Sequence, residues 1–440
     1  MTTRKTARSW PRVFLGLRET AGYYRGLRDG FRELGVQVTH VDLSADPHGY
    51  NNPASRLHRA CRWVARKRLA ARQPMRAAWA VAQGCLATLV LCSAIPRHDA
   101  FIFGTPHRFM ASLVYPLLRL LGKRVISVYH GTTVRPPYLN AKYVGGDGPI
   151  SVRILKRETD RAVSGLRAAE RWSHYVVNHP PTAQFAAQGF VDFLTLGIPY
   201  RFPAGTQFVH ARAEVVRVLH APSDRVAKGS ALIRSAVEEA RAEVSTIEYV
   251  EISGRQHSEV VEEMHRAHLV VDQAYSDQPM PGFAAEAAAH GLPVIIGSED
   301  WVGATYGIPP SAVPPTIQVH PSEIAKTIAD LASNSERRKR SGAAGEKFVR
   351  DRWSPAAVAS RFMKLVSDEV PKDWLRFPSD VQYVHGIGLP ERRVGEAVAA
   401  LVSAFGAGSL RLDEKVELRD RLLALARAYP QPGDHGTEVE

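Results

Sequence analysis

The feature that most constrains the fold of this chain is an alternation of short apolar strands with helices that begins twice. It first runs through residues 12–131, where Gly35 ends a helical pattern and the alternating run Val36–Leu43 follows. It begins again at residue 214 and continues to residue 298. Strands that alternate with helices indicate parallel sheets covered by helices. The sequence therefore predicts an α/β fold with two Rossmann-like, doubly wound domains that face a cleft.

The same pattern predicts the domain boundaries. Residues 1–195 form the predicted first domain, and the segment 196–213, which contains Pro and Gly and lacks periodicity, is the predicted linker. The second domain is predicted over residues 214–370. Residues 371–440 form a mostly helical extension whose role the pattern does not indicate. A chain of 440 residues is long enough for two domains.

Positive charge is concentrated near the start of the chain. The net charge is +13, and residues 1–95 contain 16 Lys or Arg against 5 Asp or Glu. The segment Arg56–Arg76 alone has eight basic residues and no acid. This asymmetry favours an anionic partner, and a solvated basic face without a partner is the alternative. Nucleic acid is not the partner we expect, because Trp63 is the one aromatic residue in this segment.

One apolar segment of 18 residues, Ala78–Ile95, has the length of a membrane span. It contains polar or small residues at four positions, Gln83, Gly84, Thr88 and Ser93. We therefore expect a buried helix in place of a span. The chain has three cysteines, an odd number without a CxxC spacing. Together with an apolar run at the start that is too short for a signal peptide, this predicts reduced thiols and a cytoplasmic location.

The densest chemical signal is the segment His220–Ser230, which places a strand end, a turn and a helix start in succession. The first N–H groups of a helix and its dipole favour an anion there. Arg225 and Lys228 add positive charge at the same place. A nucleoside diphosphate would suit this geometry. An ordinary strand–helix turn with surface cations is the alternative interpretation.

A second signal lies in Asp277–Ile295, where Gly282 precedes an alanine-rich helix with one acidic residue, Glu286. A carboxylate in so apolar a helix needs a polar partner. A ribose diol is a suitable partner, because one carboxylate can accept hydrogen bonds from two hydroxyls. A neighbouring backbone group or an arginine would satisfy the carboxylate equally well.

Taken together, the KGS start of one helix and the later run GFAAEAAAHGLPVI resemble the donor half of GT-B glycosyltransferases, in particular the GT4-like retaining group. Lys228 and Gly229 match the Lys-Gly pair of that family. Glu286 matches the second Glu of its Glu-x7-Glu motif, which the resemblance assigns to the nucleotide ribose. The resemblance extends over roughly residues 11–365.

The chain departs from the family pattern at two positions. Gln278 stands where the family has the first Glu of the motif, and Ser223 stands where it has an Arg. Arg225 is the candidate substitute for that Arg. The segment VVDQAYSDQPMPGFAAE also resembles a subgroup of these enzymes in which the first Glu is commonly missing.

The first half of the chain carries a weaker resemblance to the acceptor domain of the family. Gly22 belongs to a run, ETAGYYRGL, that resembles the glycine-containing first loop, and we include it among the donor-binding candidates. His130 stands at a predicted strand end that faces the cleft. The resemblance implies that His130 lines the reaction centre from the acceptor side.

The implied activity is transfer of a sugar, with retention, from a nucleoside diphosphate sugar to an acceptor hydroxyl or amine. Lys228, Arg225 and His130 are the predicted catalytic residues, and the chain is expected to use neither a cofactor nor a metal ion. We expect Arg56–Arg76 to meet the inner face of a membrane that presents a lipid-linked acceptor, with a soluble acceptor as the alternative. Two rival functions stay open, a non-catalytic GT-B-like binding protein on membrane or nucleic acid, and a sugar-nucleotide epimerase.

Overall fold

The protein was analysed as a computed structural model, which describes residues 10–44, 56–72, 74–104, 110–202 and 214–429. The strands are β1 Val13–Leu17, β2 Val38–Asp42, β3 Ala100–Gly104, β4 Arg124–Val128, β5 Tyr175–Asn178, β6 Phe190–Asp192, β7 Val216–His220, β8 Ile247–Glu251, β9 Leu269–Gln273, β10 Val294–Gly297, β11 Ile317–Val319 and β12 Leu375–Arg376. The helices are α1 Tyr23–Glu33, α2 Arg56–Ala70, α3 Met75–Ala94, α4 Tyr115–Leu120, α5 Ala141–Val144, α6 Val152–Trp172, α7 Phe193–Leu196, α8 Ser230–Glu243, α9 His257–Arg266, α10 Gly282–Ala289, α11 Trp301–Ala304, α12 Ile324–Ser333, α13 Ser335–Arg352, α14 Pro355–Ser367, α15 Glu391–Phe405 and α16 Val416–Ala428.

Two separate sheets organise these elements. A seven-stranded sheet has the order β12-β6-β5-β4-β3-β1-β2, and a five-stranded sheet has the order β11-β10-β9-β7-β8. Every pairing is parallel except the one between β12 and β6. We call the parts built on these sheets the first unit and the second unit. The predicted fold class, α/β with two doubly wound sheets, is confirmed.

The strand sequences explain why these sheets are parallel and central. The strand β3 reads AFIFG and is buried along its whole length, and β9, which reads LVVDQ, is buried likewise. Continuous apolar runs of this kind are typical of strands covered by helices on both faces. Only the carboxyl end of β9 is polar, at Asp272 and Gln273. Polar side chains are therefore placed at the edge where ligands bind in parallel sheets.

After the second unit, the chain returns to the first. Helix α14 packs against α1, and the approach is so close that a Cβ on Gly30 would lie 1.9 Å from the carbonyl oxygen of Pro355. Strand β12 then joins β6, and α15 and α16 add Val394, Leu401 and Leu422 to the core beneath the seven-stranded sheet. The described part of the predicted extension is thus integrated into the first unit. Residues 203–213 of the predicted linker lie outside the described residues.

The apolar segment Ala78–Ile95 forms a helix as predicted, but the expectation that this helix is buried was wrong. Within α3 only Val90, Leu91 and Ala94 are buried. Among the described residues, Met75–Arg97 is the one helix long and apolar enough to cross a membrane, with 17% of its most apolar window buried. The error arose because composition does not define a buried face, which depends on what other elements cover the helix.

Candidate active site

The two units meet at a buried ion pair. Arg135 follows β4 of the first unit, and Asp277 follows β9 of the second. The Arg135 Nε donates a hydrogen bond of 2.7 Å to the Asp277 Oδ2, and Nη2 contacts the same oxygen. Both side chains are almost fully buried, with 3% and 1% exposed. The pair therefore fixes the carboxyl end of one parallel sheet against that of the other.

Beside this pair, two residues predicted from separate motifs come together. A Cβ on Gly131 would lie 3.3 Å from the Gln278 Nε2 and 2.9 Å from the Arg135 Nη2. Gly131 has a φ of 97°, a conformation that side chains with a Cβ rarely adopt. The His130–Gly131 turn and the Gln278 amide thus lie on opposite walls of one narrow space. The sequence predicted both walls but not the Arg135–Asp277 pair that holds them together.

His130 is enclosed by aromatic rings of the first unit. Its Nε2 lies 3.0 Å from the Tyr24 hydroxyl, and its ring packs edge-on against Tyr23 at 4.8 Å and Phe193 at 5.4 Å. Burial lowers the pKa of His130 to about 3, because the charged imidazolium loses its solvation. A neutral imidazole has one donor and one acceptor nitrogen. His130 is therefore suited to hydrogen bonding and not to supplying a positive charge.

Lys228 is held by two side chains at the carboxyl end of β9. Its Nζ donates hydrogen bonds of 2.7 Å to both the Asp272 Oδ1 and the Gln273 Oε1. The side chain is 17% exposed. An ammonium group has three donors, so one remains for a ligand. Asp272 and Gln273 were not singled out from the sequence, although polar residues at the end of a buried strand were the available signal.

Gly229 sets the position of Lys228 at the start of α8. It occupies the N-cap with a φ of 67°, and a Cβ there would lie 2.7 Å from the Ala274 Cβ. A residue other than glycine would be strained and would push α8 away from β9. The turn before α8 also reaches the first unit, since a Cβ on Gly145 would lie 2.9 Å from the Val226 Cγ1.

Arg225 lies in the same turn but is engaged at the edge of the sheet. Its Nε donates to the Glu251 Oε1 at 2.7 Å, and 56% of its side chain is exposed. Arg234 lies 3.8 Å from the other oxygen of Glu251. Ser223 is exposed in the turn. That Arg225 replaces the family Arg at Ser223 stays a prediction.

Glu286 finds its polar partner in a histidine. The His257 Nε2 lies 2.6 Å from the Glu286 Oε1, and this hydrogen bond raises the pKa of His257. Burial, and then Glu286 itself, raises the pKa of Tyr200. The partner is therefore neither a backbone group nor an arginine, the two alternatives considered from the sequence. Gly282 begins the same helix and is exposed, with open space where a Cβ would stand.

Gly22 serves first as the N-cap of α1, with a φ of 81°. The carboxylate of Glu19 accepts hydrogen bonds of 3.0 Å from the backbone N–H groups of Tyr24 and Arg25. This acid satisfies two of the N–H groups that a helix start would otherwise offer to an anion. The donor-binding role of Gly22 stays a prediction.

The first unit also contains a cavity of about 830 Å³ at the carboxyl ends of β1, β3 and β4. Its walls include the rings of Tyr115 and Tyr129, and Arg135 links it to the ion pair between the units. Arg18 and Lys142 supply further positive charge. A cavity of this size can enclose a ligand of several rings.

Across the described ranges, no group of three or more His, Cys, Asp or Glu side chains is placed to hold a metal ion. The expected metal independence stays a prediction, because a substrate phosphate can itself complete a metal site.

The ion pair between the units generates a stability prediction. Arg135→Met should lower the free energy of unfolding by about 3–5 kcal/mol, because Asp277 stays buried without its partner. The double variant Arg135→Met/Asp277→Leu should recover most of that loss, since neither charge is then buried. Urea unfolding measures both.

The matched control is Arg157→Met, which removes an exposed arginine 3.0 Å from Glu158. Its effect should lie within about 1 kcal/mol. If the double variant loses as much as the two single variants together, the two side chains do not act as a pair.

No protein-family model and no curated protein sequence matches this chain. Solved structures do resemble it. Sucrose-phosphate synthase from Thermosynechococcus elongatus is 14% identical, with 82% of this chain and 98% of that chain covered and a TM-score of 0.48. The catalytic domain of starch synthase IV from Arabidopsis thaliana, bound to ADP and acarbose, is 13% identical, with 82% and 99% covered and a TM-score of 0.48. Anabaena HepE with UDP and glucose is 10% identical, with 81% and 99% covered and a TM-score of 0.44.

At these identities and TM-scores the comparisons describe a likeness and decide nothing about activity. The architecture itself rests on the coordinates of this chain. Two parallel sheets meet at their carboxyl ends, and α14 returns from the second unit to the first. This is the GT-B arrangement that the sequence resemblance implied.

Proposed function

We propose that this protein transfers a sugar, with retention, from a nucleoside diphosphate sugar to an acceptor hydroxyl or amine. The observation that carries the proposal is the meeting of His130–Gly131 from the first unit with Gln278 from the second. Ligands of parallel α/β sheets bind beyond the carboxyl ends of the strands. A space bounded by two such edges suits a reaction between two substrates, one held by each unit.

The second unit would hold the donor. Breaking the bond between sugar and diphosphate places growing negative charge on the leaving phosphate. Lys228 and the first N–H groups of α8 would stabilise that charge, and Arg225 would assist once it releases Glu251. Because Asp272 and Gln273 fix the Lys228 ammonium before the reaction, little reorganisation is needed. Glu286 would accept the ribose hydroxyls, in exchange for or beside His257.

The remaining site residues would act on the sugar by hydrogen bonding. The Gln278 amide can donate and accept, so it can bind sugar hydroxyls without adding a charge. His130, which is neutral, would contact the sugar from the acceptor side. No metal ion is needed in this scheme, since the cations and helix N–H groups oppose the phosphate charge. Retention comes to the proposal from the family resemblance.

For the acceptor we propose the cavity of the first unit. Its aromatic walls and the cations Arg18 and Lys142 favour an acceptor with a ring and an anionic group. A lipid-linked acceptor, reached at the cytoplasmic face of an anionic membrane through Arg56–Arg76, is the form we favour. A soluble acceptor of the same chemistry is the alternative.

An epimerase is the less favoured rival. It would need an acid and a base at the sugar, yet the carboxylates nearest the meeting point are already engaged. Asp277 is bound to Arg135 and Asp272 to Lys228. A binding protein without catalysis is the second rival, and the uncharged Gln278 in the place of a Glu is the feature that favours it.

The donor proposal predicts a loss of function at Lys228. Lys228→Ala should lower the rate of sugar transfer or donor hydrolysis by about 2–4 kcal/mol of activation free energy, roughly 30- to 1,000-fold. The variant should also lose the melting-temperature increase that the best of UDP, ADP, GDP and dTDP gives with the wild type.

The matched control is Lys347→Ala, which removes an exposed lysine of α13 that is paired with Asp351. This variant should keep both the rate and the nucleotide effect. If the wild type binds a nucleotide but turns over none of the corresponding sugars, the non-catalytic rival is favoured. Unchanged turnover by a folded Lys228→Ala protein would contradict the proposed role.

Metal independence is tested by chelation. Activity should persist in excess EDTA, because the proposed scheme opposes the phosphate charge with Lys228, Arg225 and the start of α8. The control is a metal-dependent glycosyltransferase assayed in the same buffer. Activity that is lost with EDTA and restored by Mg²⁺ or Mn²⁺ would show that a divalent ion takes part.

A further inference from the structure

Helices α2, α3 and α4 cover one part of the first unit, and the proposed reaction does not use them. We call their outer side the α2–α4 surface. Residues 47–146 contain fifteen Lys or Arg and a single acid, Asp99. That acid is already bound to Arg12 at 3.0 Å. The region therefore carries a strong positive field with no acidic side chain free to offset it.

The same surface is unusually apolar. Eighteen large hydrophobic side chains are exposed in the described residues, and nine of them lie between residues 63 and 121. They include Trp63, Leu69, Val81, Leu89, Leu117 and Leu120. Scattered exposed leucines are normal on a protein surface, but a concentration of this kind marks an interaction site.

Helix α3 shows how its apolar side chains are arranged. At 100° per residue, one stripe of its exposed residues faces outward, namely Ala78, Val81, Cys85, Leu89 and Cys92. The buried residues Val90 and Leu91 lie on the opposite side and join the core of the first unit. No charged residue occurs from Ala77 to Pro96. The outward stripe is thus continuous and uncharged.

The connections of the hairpin exclude a transmembrane orientation. Strand β2 precedes the hairpin and β3 follows it, and both pair with β1 in one sheet. The Arg62 Nη2 lies 3.2 Å from the Asp42 Oδ2, which fastens α2 to the end of β2. Both ends of α2–α3 are therefore fixed to the same unit. The helix α3 lies along the surface and can present only its outward stripe.

We propose that the α2–α4 surface binds the interface of a bilayer rich in anionic phospholipids. The outward stripe of α3 and the leucines of α4 enter the boundary between headgroups and acyl chains, while the cations of α2 contact phosphates. Trp63 packs edge-on against Trp79 at 5.3 Å, which places indole rings where basic and apolar surfaces meet. Binding therefore has an apolar part that salt does not remove.

Two other occupants fit the surface less well. A second copy of the chain in a two-fold dimer would bring the same basic surface against itself. Nucleic acid would leave the leucine stripe unmatched, and the Trp63 ring is already contacted by Trp79 and by Lys67, whose Nζ lies 5.7 Å from its centroid. Both remain as outcomes that would overturn the proposal.

The cysteines allow a direct test on the full chain. Cys61 is buried, and Cys85 and Cys92 are exposed. In Cys92→Ser, an environment-sensitive NBD dye on Cys85 reports the outward stripe. Vesicles with about a third phosphatidylglycerol should shift its emission to the blue and allow quenching by a lipid-borne nitroxide, whereas neutral phosphatidylcholine vesicles should not. A dye placed by Lys347→Cys in a Cys85→Ser/Cys92→Ser background is the control and should not respond.

Two sets of variants separate charge from insertion. Reversing Arg59, Lys67, Arg72 and Arg76 to Glu should lower vesicle affinity at least about a hundredfold, since each cation contributes about fivefold. Val81→Asp/Leu89→Asp should abolish the dye shift while leaving weaker, salt-sensitive co-sedimentation. Unchanged circular dichroism and melting temperature establish that each variant is folded.

The proposal is overturned if the Cys85 dye does not respond to anionic vesicles, or responds equally to neutral ones. It is also overturned if the dye is shielded in a dimer detected by light scattering, or responds to a DNA or RNA duplex and not to vesicles. None of these measurements uses a sugar donor. Failure of the membrane proposal is therefore distinct from failure of the transferase proposal.

Discussion

The buried pair of Arg135 and Asp277 is the interaction on which the rest of the site depends. Each residue follows a central strand of its own sheet, so the pair brings two carboxyl edges together. A pair with 3% and 1% of its side chains exposed gives little net stability, because desolvation offsets the attraction. Its value lies in specificity. Any other placement of the two units would leave two charges buried without partners.

The return of the chain to the first unit supports the same arrangement. Helix α14 packs against α1, which begins beside the site, and Tyr23 and Tyr24 of α1 enclose His130. Gly26 and Gly30 permit this packing, since a Cβ on either would come within about 2 Å of a backbone oxygen. The geometry at His130 is therefore coupled to the linker and to α14, and not only to β4.

Much of this account could be predicted from the sequence because its cause is local. The alternation of strands and helices determined both sheets, and Gly229 and Lys228 stand where a strand–helix turn requires them. Contacts between distant segments could not be predicted in this way. Nothing near Asp277 in the chain points to Arg135, and nothing near Glu286 points to His257. The burial of α3 was wrong for the same reason, since it depends on what covers the helix and not on its composition.

The central claim is that a nucleoside diphosphate binds where the two units meet. Hydrogen–deuterium exchange tests it most directly, with UDP, ADP, GDP and dTDP added separately to the wild-type protein. The account predicts that at least one nucleotide slows exchange in residues 221–232 and 276–286 of the second unit, with a smaller effect at residues 128–136 of the first. Absence of protection with all four nucleotides, or protection confined to the α2–α4 surface, would contradict it.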